Sequence, residues 1–417
     1  MRRWLAVLIT LILTLGVSVG VTAAPQAADE GQRIVLSAGD ATAAGLAVRH
    51  NLGNGQVTAH VGKGQLADLA AKGVKYDVVP MVTITDQATP QGKPGGGGGT
   101  TRVLPSTQVP YGIKMIYGNP SLTPSGISGG NGVTVAVLDT GSVNHADFTR
   151  ADGSKVITGC VDFSQTKSPQ VEGTCTDGHG HGTHVTGTIA GAGGADGKGI
   201  WGVAPNASVF SYKVLNDRGS GYADDIATAI RVAADRGANI ISMSLGSSTG
   251  SSIELDAIRY AVGKGVLVVC AAGNDGPNAN TIGYPGAYAE AVAVAALNPD
   301  EVVAYFSSRG IDDGNDNSIV DREVEVAGPG RSTISTYKDG GYATMSGTSM
   351  ATPHISGLSA KMWQGSADRT RTWLRSQAQA HDITNAEQIN NAGVGYDIAG
   401  GYGLPQVQTL KQSLWNN

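Results

Sequence analysis

From about residue 102 onward, short apolar runs alternate with stretches that are apolar on one face only. The runs fall at residues 133–138, 208–214, 240–241, 266–270 and 291–295. Between them, Asp224 and Asp225 open a helical stretch whose Ile226, Ala229, Ile230, Ala233 and Ala234 share one face, and Gly237 stops it. Ser251-Ser252-Ile253-Glu254 reads as a capping box for a second helix that runs to Lys264 and ends at Gly265. A strand that is apolar on both sides must be covered on both sides. The pattern therefore predicts an α/β domain of three layers, with a mostly parallel central sheet and helices on both faces. In such sheets the chemistry sits at the carboxyl ends of the strands.

At 417 residues the chain has room for an accessory unit beside one main domain. Arg2 and Arg3, an uncharged apolar stretch over residues 4–21 and Thr22-Ala23-Ala24 read as a secretory signal peptide over residues 1–24. A membrane anchor is the alternative, because a stretch of that length can just span a bilayer. Residues 29–88 hold strand-like runs at 34–36, 56–61 and 78–84 and one helical stretch at 64–72, a small α+β unit with little core of its own. Residues 89–104, with Gly95 to Gly99 in a row, form a flexible linker. The main domain then spans residues 105–417. A net charge of −5 leaves no basic stripe and excludes nucleic acid as a partner. Outside a cell, Cys160 and Cys175 are expected to pair. Cys270 lies in an apolar run and reads as an inert core thiol.

Three segments carry chemistry, and each has a bland reading beside the sharp one. Asp139 ends the first apolar run, where a carboxylate needs partners to offset desolvation or merely closes a turn. Residues 177–187 hold His179, His181 and His184 among four glycines. An imidazole in the first turn of a helix can act as a general base near neutral pH. The same spacing also resembles a His-x-His-x-x-His metal set, which would make a metallohydrolase. Ser349, flanked by small residues at the start of a helical run, presents its own N–H where an oxyanion can form, or is an ordinary helix cap.

Taken together, Asp139-Thr140-Gly141, His181-Gly182-Thr183-His184 and Gly347-Thr348-Ser349-Met350-Ala351 resemble the subtilase family of subtilisin-like serine proteases, in its chain order Asp, His, Ser. The resemblance extends over residues 105–408. It implies a secreted serine endopeptidase of broad specificity, with Ser349 as nucleophile, His181 as general base and Asp139 orienting the imidazole. His184 and His354 become packed core residues, and His179 has no role. Asn274, in Ala271-Ala272-Gly273-Asn274, matches the oxyanion-hole amide and would act together with the Ser349 N–H.

The resemblance further implies that an extended peptide is held by Ser244-Leu245-Gly246 and Gly219-Ser220-Gly221. Ala271, Ala272 and Gly273 would wall the pocket for the residue before the cut, Gly283 would floor it, and Asp275 would stand at its rim. Structural Ca²⁺ is expected, with Asp147, Asp312, Asp316 and Asp321 as candidate ligands. The unit at residues 29–88 is similar to a subtilase pro-domain, which acts as intramolecular chaperone and inhibitor until the enzyme cuts it off. The expected partners are protein and peptide substrates and this pro-domain. Neither nucleic acid nor, after signal removal, a membrane is expected, and the enzyme should be a monomer. A catalytically dead binding module would keep the fold while lacking one of the four site residues, yet all four are present.

Overall fold

The structure is a computed structural model that describes residues 31–84, 88–91, 103–315 and 318–407. The predicted signal segment and the Gly-rich run lie outside the described residues. The N-terminal unit consists of β1 (Gln32–Ser37), α1 (Ala38–Ala43), β2 (Val48–Asn51), β3 (Gln56–Val61), α2 (Lys63–Ala71) and β4 (Asp77–Val78). Its strands form an antiparallel sheet in the order β2-β3-β1-β4. Side chains alternate across a strand. Thus Ile34 and Leu36 enter the unit's own small core with Ala41, Val57, Ala59, Val61 and Leu69. Val35, on the other face of β1, joins a cluster that belongs mostly to the main domain. The unit completes its burial on its neighbour.

Residues 78–84 do not make one strand. Val79 and Pro80 interrupt it, so β5 (Met81–Thr83) leaves the N-terminal sheet and pairs elsewhere. Pro80 has no N–H to give a ladder, which accounts for the break. A further short strand, β6 (Ala88–Gln91), follows.

The main domain begins with α3 (Tyr111–Ile116), β7 (Thr134–Asp139), β8 (Ile157–Asp162), β9 (Val171–Glu172) and α4 (His181–Ala190). It continues with β10 (Ser208–Lys213), β11 (Ser220–Tyr222), α5 (Ala223–Asp235), β12 (Ile240–Met243), α6 (Ser252–Gly263), β13 (Leu267–Ala271) and β14 (Val292–Leu297). Last come β15 (Val326–Pro329), β16 (Thr333–Thr336), β17 (Tyr342–Met345), α7 (Thr348–Lys361) and α8 (Ala367–Gln379). The central sheet has the order β15-β14-β13-β12-β7-β10-β8-β9 and is parallel except for β9.

The three layers follow from the apolar runs. In β7, Val135 and Val137 face one apolar cluster while Ala136 and Leu138 face another. β13 repeats this, with Leu267 and Val269 on one side and Val268 and Cys270 on the other. Ile189 of α4 and Ile355 of α7 cover the first face, and Ile226 of α5 and Ile258 of α6 cover the second. Each such side chain, fully buried, contributes about 1.5–3 kcal/mol of transfer free energy. Truncating Ile226 to Ala would cost about 2–5 kcal/mol.

The capping box expected before α6 does not form: the Ser251 side chain makes no cap hydrogen bond. Glu254 is instead buried with its Oε1 unpartnered, and burial pushes its carboxyl up to about 8. Tertiary packing has overridden the local signal. Cys160 and Cys175 form a disulfide, and Cys270 is buried and reduced, its thiol held high by burial first and by Glu254 second.

Candidate active site

Asp139 is the last residue of β7, which lies between β12 and β10 where the chain crosses from one half of the sheet to the other. Its Oδ1 accepts from the Thr140 N–H at 2.7 Å and lies 2.7 Å from His181 Nδ1. Both residues are buried. A ring nitrogen facing a carboxylate carries the proton, which leaves Nε2 as the basic nitrogen. Proximity here depends on a missing side chain. A Cβ on Gly182 would sit 2.2 Å from the Gly141 carbonyl oxygen and 3.1 Å from Asp139 Oδ1, so only glycine lets the first turn of α4 come this near.

Asp177 organises the same turn, and the sequence reading missed it. Its Oδ1 accepts from the Thr140 hydroxyl and from the N–H groups of His179 and Gly180, and its Oδ2 accepts from the N–H and hydroxyl of Thr183. Thr140 Oγ1 in turn accepts from the Gly182 N–H at 2.9 Å. The available signal was an acidic residue placed before a helix start with Thr183 in its first turn.

The three histidines do not converge. His184 Nε2 is shared by the carbonyls of Thr333 and Ala343, and burial together with His181 lowers its ring to about 3. His179 is held below the ordinary imidazole value by burial and then by His181. His354 Nδ1 meets the Met350 carbonyl, and burial lowers it to about 4. Among the described residues, no metal-ligating group of three contains any of these histidines.

Ser349 lies in the first turn of α7, nearly buried. Its Oγ donates to the Ser244 carbonyl at 3.3 Å, and the Ser244 hydroxyl donates to the Ser349 carbonyl at 2.8 Å. Asn274 follows β13. Its Oδ1 accepts from the Thr348 N–H at 2.9 Å and from the Thr348 hydroxyl at 3.1 Å, which fixes the amide's orientation. Ser349, Asn274, Leu245, Gly246, Ala271, Gly273, Asp275 and Gly283 line one cleft of about 150 Å³. Ala272 departs from the expectation: it is wholly buried in the core behind this wall. Ser247 and Ser248 also line the cleft and carried no signal in the sequence.

The cleft holds the chain's own backbone. β5 pairs antiparallel with β11, setting Thr83 opposite Ser220 and Val82 opposite Gly221. The Thr83 N–H donates to the Gly246 carbonyl at 3.3 Å, and the Ile84 N–H donates to the Gly219 carbonyl at 3.0 Å. Gly219 has φ +76°, and a Cβ there would strike Ile84 at 2.5 Å. Farther along the chain, β6 pairs antiparallel with β17, the strand that precedes α7 and Ser349, with Ala88 opposite Met345.

Among the described residues, no metal-ligating group of three contains Asp147, Asp312 or Asp321. Asp147 Oδ2 accepts from the Ile200 N–H and from the Tyr342 hydroxyl. Asp312 accepts from the Gly314 N–H and Asp321 from the Ala289 N–H, while Asp316 lies outside the described residues. Each of the three described carboxylates accepts from a backbone N–H. Structural calcium is nonetheless common among subtilisin-family proteins.

An aspartate, a histidine and a serine at the carboxyl edge of a parallel sheet, with a strand-binding cleft beside them, are the parts of a serine endopeptidase. Residues 130–403 match the Subtilase family. Subtilisin from Bacillus sp. (strain TA39) is 45% identical over 320 residues, 73% of this chain and 73% of its own length. Subtilisin DY from Bacillus licheniformis is 38% identical over 65% of this chain and 91% of its own. Among solved structures, Sphericase superposes with a TM-score of 0.68 at 47% identity, covering 73% of this chain and 99% of that one. The chain belongs to the subtilase family, and it is a serine endopeptidase. Bacterial subtilisins are secreted enzymes. Among the described residues no helix is long and apolar enough to cross a membrane.

Proposed function

We propose that this chain is exported and hydrolyses proteins with broad specificity, and that residues 31–91 are its first substrate. The observation that carries the proposal is that β5, paired with β11, enters the cleft lined by Ser349, while β6 pairs with β17, the strand just before α7. In this reading Ser349 attacks the peptide carbonyl while His181 Nε2 takes the hydroxyl proton and passes it to the leaving amine. Water then hydrolyses the acyl-enzyme by the same base. Asp139 holds the imidazole and stabilises its cation. The developing oxyanion is met by the Asn274 amide and the Ser349 N–H.

Pairing of substrate backbone with Ser220–Tyr222 and Gly246 reads no side chains, which supports broad specificity. The absence of a side chain at Gly283 leaves room for large apolar residues. The bond cut first would lie between Ile84 and Ala88, where effective concentration is high because substrate and nucleophile share one chain. The pro-unit would stay on as a product-like inhibitor, having earlier supplied the surface on which α5 and α6 pack. Calcium enters only as a structural ion with unassigned ligands. Export rests on Arg2, Arg3 and the apolar stretch after them.

Expression of Ser349→Ala tests the proposal. The variant should accumulate uncut and show no hydrolysis, while the parent yields a new N-terminus between Thr85 and Ala88. A mature start after Gly99, or normal processing of the variant in a protease-free host, would overturn it.

A further inference from the structure

The pro-unit seats three basic side chains on the first turn of α5. Arg33 Nη1 lies 2.9 Å from Asp224 Oδ1 and 2.5 Å from Asp225 Oδ2. Arg49 reaches Asp225 Oδ1 through Nε at 3.1 Å and Nη2 at 2.9 Å, and His50 Nε2 meets the same oxygen at 2.7 Å. The Arg33 guanidinium also stacks on the Tyr222 ring, 3.9 Å from its centroid. Asp224 Oδ2 is buried there without a hydrogen-bond partner. All the cations belong to residues 31–84, whereas Tyr222, Asp224 and Asp225 belong to the enzyme.

Removal of the pro-unit strips this turn of every cation that neutralises it. The carboxylates do not leave, because acidic residues in the first turn suit the helix dipole. What remains is two carboxylates able to grip one guanidinium nitrogen, beside an aromatic face that favours a planar cation. The place adjoins the path of a substrate. The Ala223 N–H, at the start of α5, donates to the Pro80 carbonyl, and the Val79 N–H donates to the Arg33 carbonyl. A residue two or three positions upstream of the one in Val82's place therefore passes alongside Arg33.

We propose that Tyr222, Asp224 and Asp225 form a guanidinium-binding subsite of the processed enzyme, which favours substrates carrying an arginine two or three residues upstream of the position of Val82. The proposal rests on the reading that the pro-unit is cut and leaves. A bland reading is that the acidic turn only docks the pro-unit. The two differ in what the mature enzyme prefers.

The test uses processed enzyme, with the loss of residues 31–84 checked by mass spectrometry, and quenched fluorescent peptides copied from residues 77–91. Arg, Lys or Gln is placed at position 79 or 80. At low salt the Arg peptide should exceed the Gln peptide in kcat/KM by about five- to tenfold. Lys should fall between them, and concentrated salt should shrink the preference. In Asp224→Asn/Asp225→Asn the Arg-to-Gln ratio should drop to about one. If that variant does not mature, the salt and Lys arms on the parent enzyme decide. Equal rates for Arg and Gln at both positions, or a preference that survives in the variant, overturn the subsite. Failure to cut even the Gln peptide would strike the functional reading beneath it.

Discussion

Two buried histidine–carboxylate contacts in this molecule have the same length, 2.7 Å, and opposite uses. His181 and Asp139 both belong to the main domain, and their contact outlasts any processing. His50 belongs to the N-terminal unit and Asp225 to the main domain, so under the proposed processing theirs would end when the two part. The company each carboxylate keeps differs as well. Asp225 also takes Arg33 and Arg49, which spend its charge on docking. Among the described residues, Asp139 takes the Thr140 N–H besides the imidazole, which leaves its charge available to a cation formed on His181. The contact distance does not distinguish a catalytic pair from a clasp. The neighbouring charges and the side of the cut on which each partner stands do.

The comparison breaks most visibly at Asp139. Asp139→Asn should lower kcat by about 10⁴, a magnitude carried over from a serine protease of unrelated fold. Burst and steady-state kinetics on a chromogenic peptide measure it, and a loss below tenfold would mean that His181 is oriented by something else. Asp225→Asn should act on the other contact. Leaving buried cations without this counter-charge costs about 3–5 kcal/mol, or roughly 10² to 4 × 10³ in affinity. The interval between cleavage of the chain and the onset of activity should shorten accordingly. An unchanged interval would show that β5 in the cleft holds the pro-unit by itself.

The smallest effect sharpens the contrast through pH. Burial works to raise the Asp225 carboxyl, but His50, Arg33 and Arg49 outweigh it and hold it below the usual aspartate value. A depressed carboxyl stabilises the docked state at pH above its undocked value and loses that contribution as pH falls through the docked value. The cut complex should thus loosen only in the acid range, by up to about tenfold in dissociation constant per pH unit for one linked proton. Gel filtration of the cut complex over a descending pH series tests this. A complex equally tight throughout, with Arg33, Arg49 and Asp224 intact, would remove Asp225 from the account.

The sequence alone determined the layered sheet and the family, and it pointed to the segments bearing Asp139, His181, Asn274 and Ser349 as the candidate site, because each is written in a few neighbouring residues. A strand covered on both faces is apolar throughout, and a glycine where a helix must come close is visible as a glycine. Only the tertiary structure decided what depends on partners far along the chain. Arg33 and Asp224 are 191 residues apart, and no periodicity links them. Glu254 read as a helix cap until packing buried it, and Ala272 read as pocket wall until the sheet turned it inward. The acidic ligands proposed for calcium looked alike in sequence, yet the described ones, Asp147, Asp312 and Asp321, each accept from a backbone N–H. Local patterns record what a residue needs from its immediate chain. Which distant group meets a buried charge is set by how the layers close, where desolvation makes an unpaired carboxylate costly and selects its partner in space.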